Sequence, residues 1–150
     1  MTDDALSLAK RCAEVMWADD RASRALGMQI ADHGPGRATL NMTVRETMTN
    51  GHGTCHGGFI FTLADSTFAF ACNAYNQRTV AQHCDVTFLR PARLGDRLTA
   101  NCVERTRAGR SGIYDVSVRI ADGTLIAEFR GRSRTIEGTL LGPATTDNGK

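Results

Sequence analysis

One acidic residue, Asp65, interrupts a run of apolar and small residues from position 57 to 75, and eight positions before it stands Gly57. A carboxylate in such surroundings is costly to ionise unless it is paired or put to use. Spacing favours use. Hydrolysis of a thioester requires a donor for the carbonyl oxygen, where negative charge develops, and a base or nucleophile at the carbon. Gly57 opens a helix, so its backbone N–H has no partner within the helix, and the lack of a side chain lets a carbonyl come close. Asp65 supplies the base or nucleophile. Eight residues of helix separate the two by ~12 Å, too far to meet at one carbon. Two antiparallel helices related by a twofold axis place Gly57 of one subunit beside Asp65 of another, so the chemistry calls for a dimer.

Two neighbours complete the catalytic candidates. The amide of Asn50 both donates and accepts, which suits orienting a thioester or the attacking water, while holding a turn is the competing role. His56 is expected to shape the loop or touch the thioester rather than act as base. Other chemistries fit less well. Cys55 and His56 are adjacent, but sequence neighbours rarely point at each other for proton transfer. His52, Cys55, His56, His83 and Cys84 lack a regular ligand spacing, so no metal is expected. Dinucleotide, P-loop and GxSxG signatures are missing.

The elements that must position these groups follow from periodicity. Leu6, Ala9, Cys12, Ala13, Met16 and Trp17 recur at helical spacing over residues 3–19. After a polar break at 19–24, strands are expected over 26–31 and 37–44, joined by the turn Asp32-His33-Gly34-Pro35-Gly36. The helix from 57 to 75 is apolar or small on every side, the pattern of a helix enclosed by protein. Four more strands, 79–89, 97–105, 112–121 and 125–136, form an antiparallel meander with turns at Gly95-Asp96, Ala108-Gly109 and Asp122-Gly123. The result is an α+β domain over residues 1–136, an antiparallel sheet around one long helix, with a flexible tail from 137 to 150.

Composition narrows the partners. The chain of 150 residues carries a formal net charge of +2. Between Arg90 and Arg134, however, ten arginines face five acids. Without interleaved aromatic residues for base stacking, that excess points to a small polyphosphate ligand rather than nucleic acid. The apolar run is too short and interrupted to span a membrane. Five scattered cysteines with no CxxC pair suit a reducing compartment, so a soluble cytoplasmic protein is expected.

The segment Asn50-Gly51-His52-Gly53-x-x-His56-Gly57-Gly58, then Asp65 and Phe68-Ala69-x-Ala71-Cys72-Asn73, and further on Phe88-Leu89-Arg90-Pro91, resembles the phenylacetic-acid-degradation (PaaI) thioesterases of the hotdog fold. The resemblance spans about residues 12–135. It implies an acyl-CoA thioesterase with an aryl-acetyl substrate such as phenylacetyl-CoA or hydroxyphenylacetyl-CoA, working as a dimer within a tetramer. Coenzyme A is then part of the substrate and no separate cofactor is needed. Its phosphates account for the arginine excess, with Arg90, Arg107 and Arg110 as candidate contacts. The resemblance also brings the third strand to the site, making His83 a candidate substrate contact. A medium-chain fatty acyl-CoA thioesterase, a hotdog dehydratase and a non-catalytic acyl-CoA binder are the competing readings.

Overall fold

A computed structural model describes residues 3–142. Helix α1 (Asp3–Asp19) buries Ala9, Cys12 and Ala13. Leu6, expected on the same face, stays exposed. The polar break that follows contains a second helix, α2 (Arg21–Ala25), which the sequence reading missed. Asp20 caps it by accepting a hydrogen bond from the Ser23 N–H at 3.0 Å, satisfying an orphan amide of its first turn. Because α2 and the turn at Gly27 use up residues to 27, the first strand begins later than expected. It is β1 (Gln29–Gly34). It also runs through His33 and Gly34, confining its turn to Pro35 and Gly36, where Gly36 takes φ 68°.

The remaining elements are β2 (Arg37–Thr43), a single 3-10 turn (Glu46–Met48), α3 (Gly57–Cys72), β3 (Thr79–Phe88), β4 (Arg97–Ala108), β5 (Ser111–Arg119) and β6 (Leu125–Thr135). The strands form one antiparallel sheet in the order β1-β2-β4-β5-β6-β3. The connection from β2 passes through α3 and lays β3 on the far edge, so the sheet can curl around the helix. This is the expected α+β hotdog architecture.

Period-2 alternation turns Leu40, Met42, Leu98, Ala100, Val116, Val118 and Phe129 toward α3 and polar residues outward. From the helix, Ile60, Leu63, Ala64, Phe68 and Ala71 meet them. Phe68 packs against Tyr114 and Phe129 with ring centroids 5.4 and 6.0 Å apart. A Cβ at Gly131 would lie 2.7 Å from the Phe68 ring, so β6 must carry glycine where the aromatic crosses it.

The sheet encloses only part of α3. Gly58, Thr62, Asp65 and Ala69, spaced 4, 3 and 4 residues apart, lie along one side that stays at least partly open in the single chain. Helix α3 also ends earlier than expected. The Asn73 side chain donates to Ala69 O at 2.9 Å and exchanges hydrogen bonds of 3.0 Å with the backbone of Thr79, tying the helix end to β3. His33 Nε2 satisfies another terminal carbonyl, Phe70 O, at 2.8 Å. The first part of the segment expected to form a tail is held at this end as well, with Leu140 N–H and Leu141 N–H on Asn76 Oδ1. Residues 143–150 of that segment lie outside the described residues.

Candidate active site

The loop before α3 is built on Asn50. Its Oδ1 accepts from His52 N–H at 2.9 Å, Thr54 N–H at 3.3 Å and Thr54 Oγ1 at 3.1 Å. The oxygen is therefore fully engaged in shaping the turn, and only the Nδ2 side is open to a ligand. Backbone bonds from Cys55 N–H to Ala92 O and from His56 N–H to Met48 O, both 2.7 Å, clamp the loop at the start of the helix. His56 is the helix cap, its Nδ1 accepting from Gly58 N–H at 3.0 Å. That bond requires a bare Nδ1, so a neutral His56 carries its proton on Nε2.

Gly57 is the first residue of α3, and its N–H meets no acceptor among the described residues. It borders a cleft of about 500 Å³ lined by Cys55, Ile60, Phe88, Leu89, Arg90 and Pro91. A Cβ at Gly57 would sit 2.9 Å from Phe88 Cζ. The glycine thus admits the Phe88 ring on one side while its amide stays available.

Asp65 lies two turns along the helix, half-buried, with no hydrogen bond or ion pair among the described residues. Burial raises its pKa above the ordinary carboxylate value. A base needs both a free lone pair and raised basicity, and Asp65 has them. On the neighbouring strand Cys84 turns toward α3, and its thiol is pushed up to about 11, by burial first and then by the charge of Asp65. Gly57 and Asp65 share one helix, so no bending within the chain brings them together.

The remaining candidates separate. His83 pairs with Arg132 on the outer face of β3, 3.8 Å from Asp85 Oδ2. Strand alternation gives the inner position to Cys84, so the structure does not bring His83 to Asp65 of its own chain. Arg90 stands at the Gly57 cleft, with Nη1 donating to Leu125 O at 3.2 Å. Arg107 and Arg110 lie toward the opposite end of α3, near Tyr75. Arg107 belongs to β4 rather than to a turn, because that strand continues past a bulge at residues 104–106 to Ala108.

The rival chemistries find no support in this geometry. Cys55 is buried and its thiol is pushed up to about 11, which opposes a thiolate nucleophile. His52, Cys55, His56, His83 and Cys84 form no metal-type group among the described residues.

A family profile for the thioesterase superfamily matches residues 52–127, from the loop into β6. The chain belongs to the thioesterase superfamily. It is 42% identical to the acyl-coenzyme A thioesterase PaaI of Escherichia coli (strain K12), over 88% of this chain and 94% of that protein. Human acyl-coenzyme A thioesterase 13 is 32% identical, with 83% of this chain and 94% of the relative covered. The solved structure of the E. coli PaaI protein, from the phenylacetic acid degradation operon, superposes with a TM-score of 0.88, covering 90% of this chain and 98% of that one. The protein is a thioester hydrolase, and its resemblance to PaaI is borne out along most of its length.

Two residues of this thioesterase site were missed from sequence. Phe88 was seen only as part of a motif, yet its ring lies against Gly57. Arg93 was passed over although its backbone bridges Thr54 of the Asn50 loop, placing another cation beside the site. The signal was the run Phe88-Leu89-Arg90-Pro91-Ala92-Arg93, whose last arginine is as close to the loop as the first.

Proposed function

We propose that this thioesterase hydrolyses an aryl-acetyl coenzyme A thioester, such as phenylacetyl-CoA or hydroxyphenylacetyl-CoA, to the free acid and CoA. The observation that carries the reading is the pair of unengaged groups on α3, the Gly57 amide and the half-buried Asp65 carboxylate. The names of the E. coli and human relatives support a coenzyme A substrate, and the operon of the E. coli protein supports the aryl-acetyl group.

The site is shared by two subunits. The open line of Gly58, Thr62, Asp65 and Ala69 accepts an antiparallel α3 of a second copy, with Gly57 of one beside Asp65 of the other. β3 has a paired strand on one side only, leaving its other edge for the same twofold contact. This dimer is the minimal active unit, and two dimers form a tetramer.

In each site the thioester oxygen takes the Gly57 N–H, and Nδ2 of Asn50 orients the thioester or the water. Asp65 of the partner removes a proton from water as it attacks the carbonyl carbon. Negative charge develops on the oxygen held by Gly57, the C–S bond breaks, and the proton passes to the departing thiolate. Direct attack by Asp65 would instead pass through a mixed anhydride that water opens. No cofactor takes part. Arg90 serves the phosphates from the Gly57 subunit, and Arg107 with Arg110 from the Asp65 subunit. His83 is left to a contact with substrate from the outer face. Five free cysteines suit a cytoplasmic setting.

Free thiol released from a panel of aryl-acetyl, fatty acyl and aroyl CoA esters tests the reading. The highest kcat/KM is expected for an aryl-acetyl ester, and preference for a medium-chain fatty acyl ester would overturn that substrate class. Turnover in 18O-labelled water separates the two routes, since label in the Asp65 carboxylate requires the anhydride.

A further inference from the structure

Beyond the end of α3, one carboxylate oxygen gathers three donors. Glu104 Oε1 accepts from Tyr75 Oη at 3.0 Å, Tyr114 Oη at 2.8 Å and Arg107 Nε at 3.1 Å. The Arg107 guanidinium also lies flat on the Tyr75 ring, its Cζ 3.5 Å from the centroid. Room for this assembly comes from Gly36, whose φ is 68° and where a Cβ would lie 2.9 Å from both Glu104 Cβ and Tyr75 Oη. The Gly36 carbonyl accepts from Glu104 N–H at 2.8 Å, fixing the strand that carries the acid.

An arginine on an exposed strand end ordinarily samples many rotamers and loses that freedom on binding. Arg107 has lost much of it already. One edge of its guanidinium is taken by Glu104 and one face by Tyr75. Its Nη groups meet no acceptor among the described residues, and the side chain is 45% exposed. Tyr75 follows Asp65 by ten residues, or ~15 Å along a helix, a distance suited to the pantetheine arm that separates a reacting thioester from its nucleotide.

We propose that Glu104 and Tyr75 are positioning residues that hold Arg107 as a preformed phosphate clamp, and so set the preference for thioesters carrying a nucleotide over truncated ones. The proposal rests on the reading that Arg107 serves coenzyme A. Preorganisation of this kind stabilises the bound state by reducing what is lost on ordering the side chain, not by adding a contact. Tyr75 and Glu104 touch no substrate atom. Their influence passes through the guanidinium, so it should appear only with ligands long enough to reach it.

The test compares KM for a CoA ester and for the pantetheine thioester of the same acid. Arg107→Ala is expected to raise KM for the CoA ester about tenfold or more, with little effect on the pantetheine ester. Tyr75→Leu, which removes the ring beneath the guanidinium, should raise KM for the CoA ester about two- to tenfold, with kcat and the pantetheine KM unchanged. Tyr75→Phe keeps the ring and should recover most of the difference. If Arg107→Ala moves both KM values alike, the coenzyme A role of Arg107 falls. If Arg107→Ala behaves as expected but Tyr75→Leu leaves the CoA ester KM unchanged, or raises both alike, the positioning role falls alone. Should Tyr75→Leu fail to fold, Glu104→Gln carries the same comparison, and equal KM ratios in Glu104→Gln and the parent overturn the proposal.

Discussion

Mixing two inactive variants tests the shared site directly. Asp65→Asn removes the base, and Gly57→Val blocks the helix amide. The valine is a severe change, because even its Cβ would lie 2.9 Å from Phe88 Cζ. Phe88 is 50% exposed, however, so its ring can move outward rather than strain the core. In a mixed dimer one site collects both faults, while the other takes Gly57 from the Asp65→Asn chain and Asp65 from the Gly57→Val chain. Random reassembly of equal amounts makes half of the dimers mixed, and each has one good site of two. About a quarter of parental activity should therefore return. Thiol release after joint unfolding and refolding measures it, with native mass spectrometry counting the mixed dimers. Recovery near zero with mixed dimers present, repeated with the milder Gly57→Ala, would refute the shared site. The ~12 Å helical separation makes the converse result, two active groups within one chain, hard to reconcile with the fold.

Asp65→Asn should lower kcat by ~10²–10⁴, since an amide neither takes a proton nor attacks, and a loss under tenfold would remove Asp65 from the chemistry. The same variant should be at least as stable as the parent at neutral pH, judged by Tm. A buried acid with a raised folded pKa favours the fold at low pH, and that advantage is lost as pH rises through the raised value. For the same reason the parent's kcat should climb with pH through the raised Asp65 pKa, and a flat profile across the acid range would argue against a base there. Asn50→Ala should cost about 1–3 kcal/mol of transition-state stabilisation, together with greater hydrogen exchange at the amides of His52 and Thr54, which lose their acceptor. Unchanged exchange would mean that Oδ1 does not hold the loop. Asp115 is kept at about 2 from an ordinary 3.8, chiefly by Arg130 and also by Arg105. Its contribution to stability is present above the ordinary value and lost as pH falls toward the lowered one, so the Tm gap between Asp115→Asn and the parent should close in that window.

Much of this protein is legible without coordinates. Hydrophobic periodicity is local, so the apolar helix, the alternation of Leu40 and Met42 with polar neighbours, and the lone acid at Asp65 show in the sequence itself. The helix-start glycine is legible for the same reason, since Gly57 follows the capping histidine directly. The ends of elements were less so. α2 depends on one capping bond from Asp20, and the length of β4 on a bulge that no periodicity records. Tertiary structure alone decided where side chains from distant segments went. Arg90, Arg107 and Arg110 look equivalent as arginines near turns, but the curl of the sheet sends Arg90 to the Gly57 end of α3 and the others to the opposite end. His83 and Cys84 are neighbours in sequence, yet the pleat and the pairing with β6 turn only Cys84 toward the helix. Asn50 could have faced substrate with either side of its amide until the fold of the loop committed its oxygen to His52 and Thr54. Each of these outcomes depends on contacts between residues far apart in the chain, and no spacing within a short window encodes them.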